Sequence, residues 1–188
     1  VSTRGFVTFV IDGAEKTAYN HSDSYPDGLG LTMLEWLRQA AADEATAIRA
    51  RGLRVVDPES KPSPGDIERL KGFANAGVGT QSLDDWYVLL RETQGEPALM
   101  LEAGVIEDAH EFPRSSLFAE WGYVADFDEK RFEVYRGFQR SRHSAGRFAG
   151  REPSKNYYPV ALKAAWAFDS LPADADFMAA LNDPDEGE

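Results

Sequence analysis

From Phe6 to Ile11 the chain is an unbroken β-forming run, and it stops at Asp12-Gly13, a dipeptide that reverses direction tightly. Lys16 to Tyr19 then returns as the partner strand, so residues 3–19 predict a hairpin. The pattern changes period at residue 31. In 31–52, Leu34, Leu37, Ala41, Ala45 and Ile48 recur at helical spacing, Arg49 and Arg51 fall in the last turn, and Gly52 follows. One long helix is predicted there. Leu53 to Val56 reads as a short strand, and the three prolines of 57–66 as a loop.

Ser63-Pro64 with Glu68 nearby predicts a short helix through Phe73, before the glycine-rich break at 75–80. Ser82 is the expected N-cap of the next helix, with Asp84 and Asp85 in its first turn, and Pro97 to Glu102 gives another short one. A second hairpin is written into 120–138, where Trp121, Tyr123, Phe132, Val134 and Tyr135 flank the turn sequence Asp-Phe-Asp-Glu-Lys-Arg. Period-two alternation of Val160, Leu162, Ala164, Trp166 and Phe168 predicts a strand, and 170–181 a short capped helix. Two hairpins with several helices and no regular strand–helix alternation imply an α+β fold: a single domain over 1–168 around a mainly antiparallel sheet. Residues 169–188 are expected to form a short helix and an acidic, solvated tail.

Composition narrows the functions. At 188 residues, 43% hydrophobic and 12% aromatic, the chain can bury one proper core. It has no cysteine, which removes disulfides, thiolate nucleophiles and zinc–thiolate sites, and suits a reducing bacterial cytoplasm. No apolar run reaches the ~20 residues of a membrane span, so no membrane partner is expected. With 32 acids against 20 bases the net charge is −12, which repels duplex nucleic acid. The charge is unevenly placed: 169–188 holds seven acids and no Lys or Arg, whereas 136–155 holds six Lys or Arg and one Glu. That basic run interleaves Arg, Phe and Gly in a way that can follow a phosphate backbone, although a solvated loop balancing the acids is the more ordinary reading.

Candidate chemistry concentrates in Tyr-Asn-His-Ser-Asp-Ser-Tyr-Pro-Asp-Gly-Leu-Gly, residues 19–30. Asn20, Ser22 and Asp23 form turns, Tyr25 before Pro26 is held extended, and Gly28 and Gly30 stand before a helix whose free amides suit an anion. A dinucleotide fingerprint is absent, because there is no third glycine and no βαβ unit. Together with Thr3 and Arg4, this stretch resembles the start of a widespread group of uncharacterised bacterial and bacteriophage proteins. Those chains open with Gly, Cys or Ser followed by Thr-Arg and carry Asp-x-Tyr-Pro-x-Gly-x-Gly before a helix; Thr3, Arg4, Tyr19, Asp23, Tyr25, Pro26, Gly28 and Gly30 match. The stretch 120–138 is similar to their second hairpin. Ser24 stands where glycine is usual in them, which bears on how tightly the turn closes. The resemblance implies a phage- or mobile-element-type accessory protein and carries no activity.

Arg4, Tyr19, His21 and Asp23 are predicted to meet at adjacent strand ends, with Arg4 and Asp23 within ion-pair reach. Arg4 can bind a carboxylate or phosphate, and His21 with Asp23 can move a proton. The expected ligand site is therefore Thr3, Arg4, Tyr19, His21, Asp23, Tyr25, Gly28 and Gly30, taking a small molecule or peptide. Two other functions fit the same residues: an acidic interaction protein that docks on or inhibits a host protein, and a hydrolase using Ser2 as N-terminal nucleophile or the His21/Asp23 pair. No metal and no cofactor are expected, since His21, His110 and His143 lack ligand spacing. The four tryptophans, Trp36, Trp86, Trp121 and Trp166, sit in apolar-periodic surroundings and read as core.

Overall fold

The computed structural model describes residues 2–75 and 82–182. The first hairpin forms as predicted: β1 (Gly5–Ile11) pairs antiparallel with β2 (Ala14–Asn20), turning through Asp12 and Gly13 in left-handed conformation. The second hairpin is β5 (Trp121–Asp126) with β6 (Arg131–Arg136). The hairpins join through β1 and β5, which run parallel, and β7 (Ala161–Ala167) adds to β6. The sheet order is β2-β1-β5-β6-β7, antiparallel at every junction but one. The two turns clasp each other: both carboxylate oxygens of Asp128 accept from the backbone N–H groups of Asp12 and Gly13, at 2.8 Å each. With α1 (Leu31–Ala40), α2 (Glu44–Gly52), α3 (Pro64–Leu70), α4 (Trp86–Leu89), α5 (Pro97–Ala103) and α6 (Asp174–Leu181), the fold is α+β.

Both faces of the sheet are covered, which explains why β1 and β5 are buried along their whole length rather than on alternate residues. On one face Val7, Phe9, Ile11, Tyr123, Ala125, Phe132 and Val134 pack against α1, α2, α5 and α6. On the other, Phe6, Val10, Val124 and Tyr135 meet Ala119, Phe148 and Val160, which come from the connections either side of the second hairpin. A third cluster joins Leu70, Trp86, Leu89, Leu90, Ala103 and Val105 beneath a two-stranded parallel ribbon, β3 (Arg54–Val56) with β4 (Val105–Glu107). That side layer lies along β2, the free edge of the main sheet, where the Ala109 N–H donates to the Thr17 carbonyl at 2.9 Å.

Several expectations are corrected. The helix predicted over 31–52 is two helices, because Asp43 leaves the helical conformation and caps α2 by accepting from the Ala45 N–H. The break resets the phase, so Ile48 faces solvent with 57% of its surface exposed. Lys16 replaces a C-terminal glycine cap: its ammonium donates to the carbonyls of Ala50, Arg51 and Leu53, each at 2.9 Å. Ser63 caps α3 as the N-terminal residue of the expected short helix, and it forms a capping box with Asp66. Asp85, not Ser82, caps α4, accepting from Tyr87 and Val88. The glycine-rich break falls, apart from Asn75, outside the described residues.

In β7 a bulge sets Leu162 opposite Tyr135 but Ala164 opposite Val134, so the period-two run changes face after Leu162. Beyond Asp169, Phe177 and Leu181 of α6 are buried in the main core, and Phe177 stacks on Phe132 with centroids 6.0 Å apart. The basic run is not merely solvated. Phe148 is fully buried edge-on to Tyr135, and Arg147 reaches the sheet to bond Glu133 and Asp126. Burial opposes the charge on Glu133, but hydrogen bonds from Arg147 and Tyr135 outweigh it and hold the carboxyl below its ordinary range.

Candidate functional site

Asn20 ends β2, and the chain then turns back under β1. The Ser24 N–H donates to the Thr3 carbonyl at 3.2 Å, and the Tyr123 hydroxyl donates to the Ser24 carbonyl at 2.8 Å. Burial pushes the Tyr123 phenol well above its usual range. Ser24 is itself fully buried, its Oγ accepting from Asn20 Nδ2 at 2.8 Å. Room for it comes from Gly5, where a Cβ would stand 2.6 Å from the Ser24 Cβ. Asp23 adopts φ 55°, a left-handed conformation that Asp tolerates better than most residues. Its carbonyl occupies the space a Cβ on Gly28 would need, at 2.4 Å. Tyr25 is extended before Pro26, as predicted, and Pro26–Gly30 form one π-helical turn leading into α1.

The candidate residues divide between a framework and a seam. Gly28 and Gly30 belong to the framework. Their N–H groups both donate to the Tyr25 carbonyl, at 3.0 and 3.2 Å, and Leu29 donates to Asp23, so these amides are not open to an anion. Thr3 is buried, and its hydroxyl has no hydrogen-bond partner among the described residues. Ser2 is exposed and donates its hydroxyl to the His21 carbonyl. Tyr25 is exposed beside the motif turn. Arg4 does not pair with Asp23: among the described residues no ion pair joins them, and the Arg4 guanidinium lies over the Phe118 ring, 5.8 Å from its centroid. Parallel pairing of β1 with β5 carries residue 4 toward the 118–120 segment, where its carbonyl accepts from Glu120 at 3.1 Å. His21 and Asp23 share no hydrogen bond either.

Tyr19 and His21 do meet. The Tyr19 hydroxyl stands 3.0 Å from His21 Nδ1, and the His21 N–H donates to Gln94 Oε1 at 3.2 Å. Burial raises the Tyr19 phenol, opposed by the charges of Arg4 and Arg91. Tyr19 faces two hollows: an open one of about 420 Å³ with Phe112 and Arg114, and a narrow one with Thr93, Gln94 and Glu107. In the narrow one, burial and then the charge of Asp85 push the Glu107 carboxyl up to about 7.

Beside Tyr19, the motif turn and the 91–96 segment enclose a cleft of about 230 Å³, lined by Asn20, Ser22, Asp23, Thr32, Arg91 and Glu96 among others. Arg91 rests over the Tyr87 ring at 5.7 Å, its Nε is buried with no hydrogen-bond partner, and no carboxylate pairs with it among the described residues. Asp23 and Glu96 line the same cleft yet are not bonded to it. The cleft therefore offers a guanidinium that is in no ion pair among the described residues and two carboxylates, with amide and hydroxyl groups also in its lining. Such a set recognises a molecule carrying both charges.

Sequence reading missed Arg91, Gln94, Glu96 and Glu107, because they reach the motif only through packing of the side layer on the β2 edge. The signal within reach was a lone arginine on a short apolar helix, Trp-Tyr-Val-Leu-Leu-Arg, over 86–91. Among the described residues, no group of three or more His, Asp or Glu converges as metal ligands, and no helix is long and apolar enough to cross a membrane. Comparison with known families, with curated proteins and with solved structures finds no match.

Proposed function

We propose that this chain is a binding protein for a small zwitterion, an α-amino acid or the free end of a short peptide, held between the motif turn and the 91–96 segment. In this reading the ligand carboxylate sits on Arg91, and its ammonium group on Asp23 and Glu96. Asn20, Gln94 and Thr32 supply neutral hydrogen bonds. The observation that carries the reading is Arg91: a half-buried guanidinium that lines the cleft and is paired with no carboxylate among the described residues, in a chain with twelve more acids than bases. The cleft is smaller than the roughly 300–1,000 Å³ of drug-sized sites, which fits a metabolite.

On the motif's resemblance to bacterial and phage chains, we propose that this binding serves an accessory protein acting in the bacterial cytoplasm. No step of chemistry is required of it. The test is calorimetric titration with the common amino acids and with glycylglycine, on the native protein and on Arg91→Gln and Asp23→Asn. At least one ligand should bind, and each substitution should weaken it about tenfold or more, the loss expected for one charge-assisted hydrogen bond. Failure of every ligand, or equal binding by both variants, would remove the proposal.

A further inference from the structure

The end of the sheet where β1 and β5 begin and β6 finishes carries a second feature. Four short segments are laced together there by backbone bonds. Phe138 N–H donates to the Ser116 carbonyl, Tyr158 N–H to the Gln139 carbonyl, and Glu120 N–H to the Arg4 carbonyl. Cations and rings alternate across this surface. Arg4 and Lys155 both lie over Phe118, at 5.8 and 4.5 Å from its centroid. Arg136 sits between Trp121 and Phe138, at 4.7 and 5.1 Å, while Arg140 covers Tyr157 and Arg142 covers Tyr158, at 5.9 and 5.7 Å. Arg4, Arg140, Arg142 and Lys155 are exposed, and none is paired with a carboxylate among the described residues. Phe138 keeps 43% of its surface in solvent.

Surface cations on a chain of charge −12 normally neutralise nearby acids, as Arg38, Arg51, Arg54 and Lys71 do elsewhere on this molecule. Here four of them stack on rings instead. Stacking fixes a flexible side chain in place, and it costs the guanidinium none of its donors. The outcome is a row of preset positive charges with aromatic surface between them. A duplex presents its phosphates on a rigid cylinder and hides its base faces, so it uses only the charges. A single strand uses both, phosphates on the cations and unstacked bases on the rings.

We infer that this end of the sheet binds single-stranded nucleic acid, with Arg4, Arg140, Arg142 and Lys155 on phosphates and Phe138 as a stacking platform. It is a surface separate from the Arg91 cleft. The test is fluorescence anisotropy with a labelled oligothymidylate of about ten nucleotides, across about 20 to 200 mM salt. Four phosphate contacts predict a log–log salt slope near −3. The triple variant Arg140→Ala, Arg142→Ala, Lys155→Ala changes only exposed groups; it should bind at least about tenfold more weakly and lose about two from the slope. Phe138→Ala should weaken binding about tenfold with the slope unchanged, which charge alone does not predict. Equal capture of a duplex of the same length, full displacement by polyglutamate, or unaltered binding by the triple variant would each overturn the inference.

Discussion

Replacing Glu107 with Gln should make the protein more stable, and by an amount that depends on pH in a defined direction. The Glu107 carboxyl ends β4, faces the narrow hollow beside Tyr19, and is raised from an ordinary 4.5 to about 7 by burial and by Asp85. The unfolded chain releases this proton near 4.5, whereas the folded chain holds it until about 7. Below 4.5 the two states bind equal protons and there is no penalty. Between the two values the unfolded state ionises first and native stability falls; above about 7 the penalty is complete. At about 1.4 kcal/mol per pH unit, that interval amounts to about 3 kcal/mol, and residual solvent contact reduces it to about 2. Glu107→Gln keeps the shape and cannot ionise. Urea unfolding followed by tryptophan fluorescence should therefore show the variant gaining about 2 kcal/mol on the native protein at pH 8 relative to pH 4.5. A difference that stays constant across that range would refute the reasoning, since it would mean the carboxylate is as well solvated folded as unfolded.

Other substitutions test the scaffold. Gly28→Ala forces a Cβ against the Asp23 carbonyl and should lower stability by about 1–3 kcal/mol, seen as a reduced Tm. Lys16→Met strips three carbonyls at the end of α2 of their donor and should cost about 1–3 kcal/mol in denaturant unfolding. Arg147→Met leaves Asp126 buried without its cation and Glu133 with Arg131 alone, and should cost about 3 kcal/mol at neutral pH; acidification, which protonates the abandoned Asp126, should narrow the gap.

What could be read from the sequence follows the range of the forces involved. The two hairpins were legible because Asp12-Gly13 and the 126–131 turn are local signals. The break between α1 and α2 was less so: a cap such as Asp43 competes with helical periodicity, and only packing decides between them. The parallel joining of β1 to β5 is a contact across more than a hundred residues, and nothing in either strand announces it. That joining also explains the fate of Arg4, which looks adjacent to Asp23 along the hairpin but is drawn instead toward Phe118. In the motif, the glycines were legible as special, yet they serve close packing against Asp23 and Tyr123 rather than an anion. Glu107 carries no local signature, and Arg91 only that of a lone arginine ending an apolar run. Their character comes from burial in the seam along β2, which exists only once the side layer has docked.

The central claim, a carboxylate-seeking guanidinium in the cleft between the motif turn and the 91–96 segment, is tested most directly on the Arg91 side chain itself. In protein labelled at arginine nitrogens, the terminal guanidinium N–H resonances of Arg91, assigned by their loss in Arg91→Gln, can be followed by NMR during titration with the calorimetric ligand. The account predicts a saturable downfield shift of those protons, as the ligand carboxylate accepts from them, with the same midpoint as the heat signal and weakened in Asp23→Asn at equal ligand concentration. A resonance that stays in place while ligand binds would contradict it.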